Sequence, residues 1–218
     1  MTNLFQFGEN VKGYSIPVLN EREIRAAAGI YFLLMFASFM VVMLTQNFLL
    51  IKYASTIFFA DFLIRVFVSP RFSPSLILGR LIVRNQVPEY VGAPQKKFAW
   101  IIGVVLAGIF FTHLVVVNAF SPISGIICLT CLAFLFFEAA FGICLGCKFY
   151  SLFYREKAQY CPGEVCAPES RQDIQKTSLA QVLVVLVFVA LIVGTVQLFN
   201  HYYLVAPADI FGINGPAQ

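Results

Sequence analysis

Residues 123–142 read ISGIICLTCLAFLFFEAAFG, and Glu138 is the one formal charge in those twenty positions. About 30 Å of hydrocarbon is crossed by roughly 20 residues of helix rising about 1.5 Å each. Backbone amides in lipid find partners only within their own segment, so such a run is expected to be a transmembrane helix. The same pattern recurs on either side. It appears as RAAAGIYFLLMFASFMVVMLT over 25–45, FLLIKYASTIFFADFLIRVFV over 48–68, FAWIIGVVLAGIFFTHLVVVNA over 98–119 and LAQVLVVLVFVALIVGTVQLFNHYYLV over 179–205. The second is the least apolar, and the last is long enough to tilt or to end beyond the bilayer. The expected fold is therefore all-α, a polytopic bundle of about five spans.

Composition agrees. The chain is 60% hydrophobic and 12% charged, far from the mix of a soluble globular domain. The net charge of +4 is spread through connections, which speaks to topology and against a nucleic-acid partner. The first twenty residues lack a basic stretch followed by an apolar one, so no cleavable signal peptide is expected. No Gly-rich phosphate loop, Ser-His-Asp order or H-E-x-x-H occurs.

Lysine and arginine set the orientation. They fall in the N-terminal tail (Lys12, Arg22, Arg25) and between spans two and three (Arg71, Arg80, Arg84, Lys96, Lys97). Five more lie between spans four and five (Lys148, Arg155, Lys157, Arg171, Lys176), Lys52 and Arg65 fall within span two, and none follows Lys176. This predicts a bacterial inner-membrane protein. It has a cytoplasmic tail over 1–24, a four-helix core over 25–142 and a cytoplasmic cysteine-rich loop over 143–178. A fifth helix over 179–205 and a periplasmic tail over 206–218 complete it. Within the second inner connection, SLILGRLIVR is expected to be a short interfacial helix with Arg80 and Arg84 towards lipid headgroups.

Past the quoted run come Cys144 and Cys147 in GICLGC, then Cys161 and Cys166 in YCPGEVC. The cytoplasm keeps thiols reduced, which disfavours a permanent disulfide. Three readings stay open. The four could form a thiolate site for zinc or an iron–sulfur cluster. Cys144 and Cys147 could instead be an attacking and a resolving thiol, with Lys148 close by. Or the four could be packing residues. Asp61 and Arg65, four apart, share a helix face and should pair. Glu138 has no partner in its own helix and is a candidate for proton transfer to the thiols. Cys128 and Cys131 lie in the outer half of span four at a depth similar to His113, a possible thiol and base. His201, beside Tyr202 and Tyr203, reads as an interfacial belt residue.

The order of these features resembles the bacterial membrane family known as domain of unknown function 4395. The resemblance rests on Asn20 and Arg25, then DFLIR, FSP and APQKKFA, and above all FEAAFGICLGCKFY followed by YCPGEVC. It covers about residues 18–168, with span five beyond it. It implies an association with thioredoxin-like and rhodanese-like proteins, and hence thiol or sulfur chemistry. The expected function is a membrane-held Cys-x-x-Cys site handling electrons or sulfur with such a partner. The alternative is a non-catalytic subunit of a larger membrane complex whose four cysteines hold a structural zinc.

Overall fold

The computed structural model of the protein describes residues 7–146 and 177–209. It is an α-helical polytopic bundle in which four helices are long and apolar enough to cross a membrane: Glu21–Thr45, Ala93–Val116, Pro122–Phe141 and Leu179–Leu198. The first, α1 (Glu21–Thr45), starts where Asn20 accepts a hydrogen bond from the Arg22 amide and stops where Gln46 turns left-handed. α2 (Leu49–Leu63) returns and widens into a π turn over Ile64–Val68. Lys52, Asp61 and Arg65 of this segment are all buried. α4 (Ala93–Phe111) and α5 (Pro122–Phe136) complete the packed core, and each likewise runs into a π turn, Thr112–Val116 and Phe137–Phe141. The three π turns carry Arg65, His113 and Glu138. Such turns are rare and recur at functional positions.

Helices one and three begin four and five residues earlier than the apolar runs suggest. Glu21, Glu23 and Lys96 are buried in ion pairs, so they sit inside helices although hydropathy alone places them outside. The bundle end holding the start of α1 and the end of α5 is called proximal below, and the opposite end distal. At the proximal end a two-stranded antiparallel ribbon, β1 (Val18–Asn20) with β2 (Tyr90–Gly92), fixes the entries to α1 and α4 side by side.

The short helix in the second connection exists as α3 (Pro74–Ile82), capped by Ser73 and opened by Pro74. Its expected aspect needs correction. Arg84 is exposed, but Arg80 is buried and paired to Glu23 of α1. The cause is close packing. A Cβ at Gly79 would lie 2.5 Å from the Glu23 carbonyl oxygen, so α3 meets α1 backbone to backbone and its basic side chain goes inward.

The last long helix, α6 (Leu179–Leu198), opens with a Ser178–Gln181 capping box, and Gln181 is its one buried residue. It is held at its ends. Gln181 Nε2 donates to the Arg71 carbonyl at 3.0 Å. At the distal end α7 (Asn200–Leu204) presents Tyr203, which stacks on Tyr53 at 4.7 Å between centroids and lies 3.0 Å from the Thr56 hydroxyl. Buried Lys52 donates to Asn118 Oδ1 at 2.6 Å and to the Val205 carbonyl at 2.5 Å. A two-residue parallel pairing of β3 (Ala119–Phe120) with β4 (Ala208–Asp209) closes this corner.

Candidate functional site: a thiol on a buried charge network

Burying a charge is costly unless it is paired and hydrogen-bonded. The proximal end buries seven ionisable side chains from five segments and pairs them all. Asp61 holds the first group. Its Oδ1 accepts from the Ser73 hydroxyl at 2.8 Å and the Ser75 amide at 3.2 Å, its Oδ2 from the Ser75 hydroxyl at 2.6 Å and Arg65 Nη2 at 3.0 Å. The expected Asp61–Arg65 pair is thus present and is joined to the start of α3. The Arg65 guanidinium also lies over the rings of Phe62 and Trp100, 4.4 and 4.7 Å from their centroids, a favourable arrangement for a desolvated cation. Its Nε has no hydrogen-bond partner among the described residues.

The second group is Glu23 with Arg80 at 3.2 Å and Asn20 Nδ2 at 3.1 Å. The third is centred on Lys96, fully buried, whose Nζ lies 2.8 Å from Glu21 and bonds Glu138 as well. Glu138 therefore finds its partner on α4. In all, Glu21, Glu23, Asp61 and Glu138 face Arg65, Arg80 and Lys96, four carboxyls to three cations.

Cys144 sits at the edge of the third group. The π turn ends at Gly142, whose φ of +66° belongs to the left-handed region. That geometry suits glycine and commonly terminates a helix. Arg25 closes over the turn, its Nη2 donating to the Ala140 carbonyl at 3.3 Å. The chain then doubles back so closely that a Cβ on Gly146 would lie 2.5 Å from the Cβ of Ala99. Cys144 is thereby half-buried and faces the same space as Glu138. Both border a cavity of about 70 Å³ whose wall includes Tyr31, Arg65, Trp100 and Cys131.

Of the other thiols, Cys147, Cys161 and Cys166 lie outside the described residues, and so does their relation to Cys144. No group of three His, Cys, Asp or Glu side chains placed to hold a metal occurs among the described residues. Cys128 and Cys131 are buried and free. Cys128 borders a separate apolar distal cavity of about 310 Å³ with Leu114 and Phe120. His113 Nδ1 has no hydrogen-bond partner among the described residues, so that atom bonds to neither thiol. His201 is exposed, as expected for a belt residue.

Sequence reasoning placed Glu138 and Cys144 but missed Lys96, Glu21, Glu23 and Trp100 as their surroundings. Lys96 was read as one of the topology-setting charges. The signal within reach was the position of Glu21 and Glu23 directly against an apolar run, where an acid must find a cation or leave the helix.

Residues 19–155 match the family described as Domain of unknown function (DUF4395). The chain belongs to that family. The matched region contains every residue of the charge network and Cys144, and ends before Cys161, Cys166 and α6. No curated protein and no solved structure matches the chain. The family's description assigns it no activity.

Proposed function

We propose that this family member is a bacterial inner-membrane thiol protein, N-terminus cytoplasmic and C-terminus periplasmic. It handles electrons or sulfur at Cys144 and Cys147 with a thioredoxin-like or rhodanese-like partner. The observation that carries the reading is that Cys144 and Glu138, the latter bound by Lys96, line one cavity. A thiolate is the reactive form of cysteine. Glu138 is placed to receive its proton, and the Lys96 ammonium one bond further offers compensating charge. Exchange with a disulfide of the partner joins Cys144 and Cys147, and the two electrons and two protons leave on the partner's dithiol. A partner dithiol reverses this by attack on one sulfur, the other leaving as thiolate. The cysteines at 161 and 166 would pass the load onward.

Mass mapping of tryptic peptides tests this. Mild oxidation of the purified protein is expected to yield a Cys144–Cys147 disulfide that reduced thioredoxin reopens, and Cys144→Ser abolishes it. Glu138→Gln is expected to slow alkylation of Cys144 roughly a hundredfold, within the usual range for a positioned acid or base. Cysteines that stay reduced throughout, or a disulfide formed elsewhere while Cys144 stays free, would overturn the reading.

A further inference from the structure

We infer that the reactant which meets Cys144 first is a small inorganic polysulfide, a hydrogen disulfide or trisulfide, bound in the cavity beside it. This rests on the reading of Cys144 as the nucleophile and names its substrate class. Four features of the cavity lead there. The first is size. A volume of about 70 Å³ holds about five water-sized groups, at roughly 10–15 Å³ for each. That admits a chain of two to four sulfur atoms and excludes a peptide disulfide. The second is surface. Tyr31, Phe58, Phe62 and Trp100 line it, and aromatic rings make favourable contacts with polarisable sulfur.

The third is charge. Arg65 borders the cavity, is 3% exposed and has an Nε–H without an acceptor among the described residues. A buried donor left unmade marks a place where an acceptor belongs. Yet Asp61 already balances the guanidinium, and the network has one more carboxyl than cations. A doubly charged anion such as a sulfur oxyanion is therefore disfavoured, whereas a neutral or singly charged sulfur chain is not. The fourth is direction, since the reversal at Gly142 aims the Cys144 segment into the bundle.

The step balances without an external oxidant. Cys144 gives its proton to Glu138, and the thiolate attacks a terminal sulfur of the polysulfide. A carbon-bound S–S bond forms while the S–S bond of the donor breaks. The leaving group, hydrosulfide from the disulfide or hydrodisulfide from the trisulfide, takes the electron pair and recovers the proton from Glu138. Cys144 is left as a persulfide, and hydrogen sulfide or hydrogen disulfide departs as a neutral molecule, suited to an apolar exit.

The test uses the full-length reduced protein in detergent, treated separately with sodium polysulfide and with oxidised glutathione, then mapped by mass spectrometry. One added sulfur on Cys144 and no glutathione adduct there is the expected result. Ala28→Phe, which fills the cavity, should lower sulfur loading at least tenfold. If that variant fails to fold, Phe134→Ala serves instead: by widening the cavity it should let glutathione onto Cys144. A glutathione adduct forming as fast as the persulfide in the unaltered protein overturns the inference. So does sulfur found on Cys131 alone, or on no residue, or loading that Ala28→Phe leaves unchanged, or a Phe134→Ala protein that still excludes glutathione. Methyl methanethiosulfonate separates the two levels of failure. If it labels Cys144 while polysulfide does not, the substrate class is wrong and the thiol site stands. If it too leaves Cys144 unlabelled, the thiol site falls with it.

Discussion

At the scale of single residues, Lys96 is the hinge of the proximal site. It is fully buried between Glu21 and Glu138, so removing its charge leaves two carboxyls facing each other in a dry interior. Breaking one partner from a buried pair typically costs about 3–5 kcal/mol. Lys96→Met is therefore expected to lower the unfolding temperature in detergent sharply. Glu21→Gln combined with Lys96→Met should recover part of the loss, because one unpaired acid is gone; a double variant no better than the single one would count against the shared site. Asp61 and Arg65 were legible in the sequence because they stand four apart on one helix. Lys96 was not, because its partners are 75 and 42 positions away. Only the packing of α1 and α4 side by side against the oppositely running α5 brings them together, and no local spacing encodes it.

At the scale of elements, α3 is where expectation and structure part. Its alternation of apolar and basic residues suits a helix lying on a surface, and the helix does form where expected. What the pattern hides is Gly79. A glycine allows two backbones to touch, and that contact with α1 leaves Arg80 no route outward except through Glu23. Gly79→Ala would set a methyl group 2.5 Å from the Glu23 carbonyl oxygen. Overpacking of this kind costs about 1–3 kcal/mol, and here it also pushes α3, with its Ser75, away from Asp61. A thermal melt monitored by circular dichroism is expected to show the loss. A variant as stable as the parent would mean that α1 and α3 are free to separate. The ends of α4 and α5 were legible only in part. Apolar runs locate a helix by transfer energy, but π turns at their ends depend on packing that the runs do not record.

At the scale of the whole molecule, the family core and the last helix are different in kind. α1 to α5 share an interior, whereas α6 leaves nearly all its side chains unburied by the protein and is fastened at its two ends. Little packing energy is at stake there, because lipid tails cover an apolar helix as well as another helix does. Removal of residues 177–218 is expected to leave the helical signal per residue and the unfolding temperature of the remaining bundle nearly unchanged, measured in the same detergent. Collapse of that core would show that the end contacts hold more than the helix. The absence of Lys and Arg after Lys176 carries a separate expectation: alkaline phosphatase fused to the C-terminus is active and a fluorescent protein there is dark. The reverse pattern would invert the orientation and put the thiols on the oxidising side. The span pattern and the charge bias were thus readable from composition, while the depth at which α6 engages the core was not, since apolarity is the same whether lipid or protein is the neighbour.

The backward turn at Gly142 has a consequence beyond ending a helix. A side chain at that angle pays for a left-handed backbone, so most substitutions would relax the turn and let the segment after it run on outward. The thiol two positions later would then meet bulk water and every dissolved disulfide in it. In the native protein it borders the small cavity beside Arg65 and Trp100 instead. The sign of a single torsion thus decides whether this cysteine faces the bundle or the solvent.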